Sequence, residues 1–274
     1  MKHLTIYFLI SAIIIIPGTY SLFKYGLKLS IEFTGGTRVM LQPTSEKNFI
    51  LDSLKDYSPQ IESETEKELT LKLKELPESK LLDIFSKSPQ KITASNFESV
   101  GPVLGQETIK KTVTALLISS LVLLSYISFT FKQFKFGLSA VLAMLHDTLV
   151  LLGSFSLLGH FYGVEVDLLF VTAVLTILSF SVHDTIVVYD RVRELSRKFK
   201  NINFVDLVNQ AVSETMVRSL NNSLTIIFML VAMYLLGGES TRYFSLALLI
   251  GTVTGTYSST FTAAPLLVVW HKLF

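Results

Sequence analysis

The residues with chemistry to offer lie in an unusual place. Phe180 to Glu194 reads FSVHDTIVVYDRVRE, and it closes an apolar run that begins near Val166. Asp184 falls while the run is still apolar, with Ile186, Val187, Val188 and Tyr189 following it. Inside a bilayer, a charged carboxylate at the centre costs roughly 2.5–3.5 kcal/mol on insertion scales. Such a residue needs a partner, a proton or a task. A second pair, His146 and Asp147, sits amid the apolar stretch Val141–Leu152, and His183 directly precedes Asp184. Further on, MVRSLNNSLTIIF places Arg218, Asn221, Asn222 and Thr225 at i, i+3, i+4 and i+7, one face of a helix. Lipid cannot satisfy a polar stripe, so this face is expected to look into a helix bundle.

Two readings of these groups stand side by side. In the first, Asp184 and Arg218 pair, the asparagines bond across helices, and the cluster is polar glue. Interhelical hydrogen bonds average only about 0.6 kcal/mol, less than the roughly 3 kcal/mol cost of the buried acid. In the second, Asp184 takes up and releases a proton, with Arg218 as its basic partner. The mismatch of magnitudes favours this relay of Asp184, Arg218 and His183, with His146 and Asp147 as secondary candidates.

The elements that must position these groups follow from hydropathy. Half of the 274 residues are hydrophobic and 17% are charged, below the roughly 25% usual for soluble domains. The mean hydropathy is +0.51. Apolar runs at Leu4–Phe23, Thr112–Phe131, Gly137–Leu158, Val166–Tyr189, Leu220–Leu236 and Phe244–Trp270 each approach the ~20 residues a spanning helix needs. The first run is read as a retained span rather than a signal peptide, because no small-x-small cleavage site follows it. Lys132, Lys135, Arg191, Arg193, Arg197, Lys198 and Lys200 lie in two short loops, whereas the loop Gly159–Glu165 holds no Lys or Arg. The positive-inside rule then puts both termini and the basic loops in the cytoplasm. Phe204, Leu207, Val208 and Ala211 recur at helical spacing. They suggest an amphipathic segment over 195–215 at the cytoplasmic interface, or a connecting helix packed on the bundle. Gly251 and Gly255 form a GxxxG, read as internal packing.

Residues 26–111 change in character, with Lys and Glu alternating with short apolar patches. Strands are expected at Thr37–Gln42, Ile61–Thr65, Leu69–Lys74 and Lys91–Val100. Helices are expected at Ser45–Tyr57, capped by Thr44 or Ser45, and from Pro77 to Lys87. This β-α-β-β-α-β order suggests a small ferredoxin-like α+β domain outside the membrane. Gly35 and Gly36 allow a tight turn with positive φ at its start, and Gly101, Pro102 and Gly105 read as a turn-rich join at its end. The architecture expected is a multi-pass α-helical membrane protein with six spans: helix one over 1–25, the outside domain over 26–111, and a five-helix bundle over 112–274.

Several functions are excluded by pattern. The net charge of +2 leaves no nucleic-acid footprint. There is no Walker A loop, GxSxG or HExxH, no cysteine for thiolate chemistry, and no zinc-ligand spacing among five histidines. No cofactor, no metal and no bond-making catalysis are expected.

The stretches IEFTGGT (Ile31–Thr37), SVGPVLGQE (Ser99–Glu107), LAMLHDTLV (Leu142–Val150), SFSVHDTIVVYDRVRE (Ser179–Glu194) and ETMVRSLNNSLT (Glu214–Thr225) together resemble the SecF family of the Sec protein-export machinery. GTYSSTFTAAPLL near the C-terminus matches as well. The resemblance implies the fold of the resistance-nodulation-division superfamily and a place in the cytoplasmic (inner) membrane. It implies partnership with SecD, the SecYEG channel and YajC, and use of the proton-motive force to help move unfolded preproteins outward. It also implies that Asp184 carries the proton, that Arg218 is paired with it, and that Gly35–Gly36–Thr37 is a signature turn. The chain departs from the family pattern at His183, where Asn is usual, at Glu32 for Asp, and at Ser219 for Thr. A non-energised scaffold of the channel and a small-molecule efflux subunit are the alternative readings.

Overall fold

The fold is taken from a computed structural model of the chain, which describes residues 4–42, 47–65, 67–86, 92–131, 133–199 and 201–273. The chain divides into two compact units, one of residues 1–28 with 115–274 and one of residues 29–114.

In the smaller unit, Ile31–Thr34 forms one helical turn, α2, capped by Ser30, whose hydroxyl accepts from the Glu32 amide. Strand β1 follows at Gly36–Gln42, helix α3 at Lys47–Ser53, strand β2 at Gln60–Glu64 and strand β3 at Leu69–Leu73. Helix α4 (Glu78–Ser86) and strand β4 (Thr93–Val100) complete it. The sheet is antiparallel in the order β2-β3-β1-β4, with Val39 opposite Leu71 and Phe97. Alternation decides the core: Val39, Leu41, Leu69, Leu71 and Leu73 point one way and bury against Ile50, Leu54, Leu81 and Phe85 of the helical layer. The expected helix from Ser45 to Tyr57 is shorter. It stops at Ser53, and Lys55–Tyr57 tightens into a 3-10 turn ended by Ser58 at φ 50°. Its expected caps, Thr44 and Ser45, and the expected ends Lys87 and Lys91 lie outside the described residues. The expected turn at Gly101–Gly105 is instead the start of a helix, α5 (Pro102–Phe131). Pro102 occupies the first helical position, where a missing N–H costs nothing.

The glycine pair is required by the backbone. Gly35 has φ 73° and Gly36 φ 127°, both in the positive region. A Cβ on Gly35 would fall 2.8 Å from Pro102 Cα, and one on Gly36 2.7 Å from the Leu73 carbonyl oxygen. Gly105 answers from the other side, where a Cβ would meet the Phe33 carbonyl oxygen at 2.7 Å. Thr37 is fully buried, and its hydroxyl donates to Leu76 O and accepts from Leu76 N at 2.9 Å.

The larger unit holds α1 (Leu4–Tyr25), the C-terminal part of α5, α6 (Phe134–Tyr162), α7 (Leu168–Lys198), α8 (Phe204–Leu236), α9 (Glu239–Ser258) and α10 (Ala264–Leu273). Among the described residues, five helices are long and apolar enough to cross a membrane: α1, α5, α6, α7 and α8. The sixth run expected from the sequence is α9 and α10 joined by a π turn, Ser259–Ala263. Its α9 half carries Thr252, Thr254, Thr256 and Ser258, which lower its hydropathy. Pro265, second in α10, has no N–H to give the preceding turn, and a widened turn accommodates its ring.

Polar caps set the ends of these helices. Asp167 accepts from Phe170 N at the start of α7, Gly163 closes α6 at φ 72°, and Asn203 caps α8. The amphipathic stretch Asn203–Val212 is not a separate segment, since Phe204–Val212 forms the first turns of α8. Helix α8 is about 50 Å long at 1.5 Å per residue. Close packing uses small residues. A Cβ on Gly18, beside Pro17, would fall 3.0 Å from Gly153 Cα, and the Ser21 and Ser156 hydroxyls meet at 2.9 Å. Gly251 and Gly255 pack against α7, at Ile177 and Ser181 respectively.

Candidate functional site

The site is built from two buried carboxylates, one on α6 and one on α7. Asp147 is fully buried. Its Oδ2 accepts from the Ser181 hydroxyl of α7 and the Ser258 hydroxyl of α9, both at 2.6 Å. Its Oδ1 lies 3.0 Å from His146 Nδ1. His146 is itself buried, and its Nε2 has no partner among the described residues. Asp184 is 3% exposed. Its Oδ2 accepts from Ser219 of α8 at 2.5 Å and from Ser259, the first residue of the π turn, at 3.0 Å. Thus each acid is held by two serine hydroxyls from two other segments, and the adjacent residues Ser258 and Ser259 serve one acid each.

Serine suits this position. Hydroxyl donors to a charged carboxylate are the stronger class of hydrogen bond, and a short side chain lets helices stay close. On α8 the buried polar face is Thr215, Ser219 and Ser223, spaced four apart. Ser223 continues it by a 2.6 Å hydrogen bond to the Thr256 hydroxyl. The far end of the π turn is anchored too: Tyr189, fully buried, donates to Ala263 O at 3.1 Å. Phe131 and Phe136 pack edge-on against the Tyr189 ring.

This arrangement corrects part of the sequence expectation. Arg218 is exposed and pairs with no acid among the described residues; its neighbour Ser219 holds Asp184 instead. One residue along a helix turns the side chain by about 100°, so these two cannot face the same way. Asn221, Asn222 and Thr225 share Arg218's exposed side, so the expected interior stripe is the open face of α8. His183 is exposed for the same reason, one residue from buried Asp184. Arg191 ties α7 to Glu214 of α8 and to Glu194. Arg193 pairs with Asp190 at 2.6 Å and lies over the Phe131 ring. Gly35, Gly36 and Thr37 belong to the smaller unit. Sequence reasoning missed Ser181, Ser219, Ser258 and Ser259; the only signal was small hydroxyl residues at helical spacing inside apolar runs.

No group of three or more metal-ligating side chains of His, Cys, Asp or Glu occurs among the described residues. The chemistry available is that of carboxylates, hydroxyls and one imidazole in a buried interior. These groups can bind, share and redirect protons.

Comparison with known proteins gives a consistent result. Residues 80–273 match the family model of the protein export membrane protein SecD/SecF C-terminal region, and residues 20–43 match the SecD/SecF GG motif. The chain is similar to the protein translocase subunit SecF of Thermobaculum terrenum, 40% identical over 97% of this chain and 92% of the relative. It is 35% identical to that of Synechocystis sp., over 93% of this chain and 86% of the relative. The crystal structure of SecDF from Thermus thermophilus, a translocon-associated membrane protein, superposes with a TM-score of 0.84 at 29% identity. That match covers 99% of this chain and 39% of the other. With the matched region spanning most of its length and the glycine pair at the start of its sheet, the chain belongs to the SecF family of protein translocase subunits.

Proposed function

We propose that this protein is an auxiliary subunit of the Sec export machinery. It couples the proton-motive force to preprotein movement across the cytoplasmic membrane through Asp184, and it makes or breaks no covalent bond. The observation that carries this reading is the burial of Asp184 in the helix bundle, where its hydrogen-bond partners among the described residues are the hydroxyls of Ser219 and Ser259. An acid ringed by neutral donors can be discharged by one proton without stranding a buried cation. Protonation shifts the population of helix packings, and the outside domain follows.

The same reading gives six spans, with α9, the π turn and α10 as the last, and both termini in the cytoplasm. It takes the β-α-β-β-α-β domain as ferredoxin-like, in keeping with the sheet order β2-β3-β1-β4, and the whole as a resistance-nodulation-division fold. SecD is the proposed companion. The Thermus thermophilus relative bears the name SecDF, and this chain aligns with 35% of it. The exposed polar face Arg218, Asn221, Asn222 and Thr225 supports a companion bundle, because lipid would leave it unsatisfied. SecYEG, YajC and unfolded preproteins complete the proposed assembly.

Replacing Asp184→Asn tests the proton role. In inverted vesicles with an imposed proton gradient, the variant should insert and assemble normally and lose the gradient-dependent part of export. Undiminished export would mean a scaffold without energy coupling.

A further inference from the structure

The two buried acids are joined by more than proximity. Ser258 donates to Asp147 and Ser259 donates to Asp184, each at Oδ2. Each hydroxyl also has a second acceptor within reach: Ser258 Oγ lies 3.2 Å from Gly255 O, and Ser259 Oγ lies 3.1 Å from Thr256 O. A serine has one proton to give, so each of these residues has two hydrogen-bonded positions. The Gly255 carbonyl is also the acceptor of the Ser259 backbone N–H. One carbonyl therefore stands between the serine that reads Asp147 and the serine that reads Asp184. At Ser259 the helix widens from α to π, a change often found at functional positions.

The geometry points to Ser258 and Ser259 as positioning residues that make Asp147 and Asp184 one coupled proton-sensing unit, with the π turn as the element that responds. The inference rests on the proton reading of Asp184 given above and adds to it a second acid and the device that reads both. The proton count is simple. While a carboxylate is charged, its serine donates to it. When the carboxylate takes a proton, the new O–H donates to the serine oxygen, and the serine proton turns to the helix carbonyl three residues back. One proton is gained, one hydrogen bond reverses direction and one new bond forms to the helix carbonyl. At Ser258 the new bond shares Gly255 O, which has two lone pairs, with the Ser259 N–H and polarises that carbonyl. The disturbance passes to the residue that holds Asp184. Tyr189 pins the other end of the turn at Ala263, so the change is confined to Ser259–Ala263.

Among the described residues, few other titratable groups face this unit. They are His146 on α6, Tyr189 on α7, Tyr257 on α9, whose hydroxyl donates to Tyr7 O, and Tyr7 on α1. Ser219 is the contribution of α8, and Arg218 and His183 are exposed.

The test uses the full chain in lipid nanodiscs. Hydrogen exchange of the amides of residues 259–264, normalised for intrinsic rate, is followed against pH. The infrared carboxyl band reports protonation, assigned with Asp147→Asn and Asp184→Asn. Wild type should show a change in protection of about ten-fold or more as the carboxyl bands titrate. The double variant Ser258→Ala/Ser259→Ala should keep the bands and lose the change in protection, and Ser258→Thr/Ser259→Thr should restore it. Asp147→Asn alone should alter the protection of Ser259, whereas a purely local role of Ser259 would leave it untouched. The inference is overturned if the alanine pair responds to pH as wild type does, or if only the Asp184 band titrates. If neither carboxyl titrates, the proton reading of Asp184 falls first and this inference with it.

Discussion

At the scale of single residues, neighbouring positions have opposite fates. Asp184 is buried and His183 exposed; Ser219 is buried and Arg218 exposed. Side-chain direction, not residue type, separates the groups that touch the buried acid from those that decorate the outside. Accordingly, His183→Ala should change gradient-driven export by less than about two-fold, the effect expected of a substitution away from packing and hydrogen bonds. A loss comparable to that of Asp184→Asn would show that His183 acts on the acid directly. The glycine pair gives a second residue-scale expectation. Gly36→Ala meets both a positive φ and the Leu73 carbonyl, a strain of roughly 1–3 kcal/mol. Protease cleavage of the sheet domain within the intact protein should then quicken by roughly 5- to 150-fold, since cleavage follows the open population.

At the scale of elements, the sequence revealed period and order but not rotation. The alternating Leu residues of β3 located that strand within a residue or two, whereas the apolar runs marked only parts of the long helices: α8 begins at Phe204, not Leu220, and α5 at Pro102, not Thr112. That Val39 and Leu41 join the alternating Leu residues of β3 in the core of the small sheet became visible only in the fold. The rotation of α8 was hidden because Arg218, Asn221 and Asn222 dominate its polarity, whereas the face that touches the acid carries only Thr215, Ser219 and Ser223. The π turn was hidden because Pro265 lies in a run whose hydropathy continues past it. A small residue can also set how close two elements lie. A Cβ on Gly251 would fall 2.2 Å from Ile177. Gly251→Leu should therefore push α9 from α7 and cost roughly 1–3 kcal/mol, read as a lowered thermal midpoint in detergent. An unchanged midpoint would mean that Ile177 swings aside freely.

At the scale of the whole molecule, the bundle presents a polar face that a bilayer cannot satisfy. Companion helices from SecD are the proposed cover. Asn222→Cys in this cysteine-free chain should cross-link to a companion span in membranes, and Arg218→Ala should reduce recovery of the complex. Labelling of the introduced thiol by a lipid-soluble reagent, with no cross-link, would instead place that face against lipid. The small-residue seam between α1 and α6 has a further consequence, for biogenesis. Ser21 and Ser156 hydrogen-bond across 135 positions of sequence. At 5–20 residues per second of synthesis, the partner of Ser21 is made about 7–27 s later. During that interval the face of the first helix that carries Gly18 and Ser21 lacks its α6 partners, Gly153 and Ser156, so the seam closes late in synthesis.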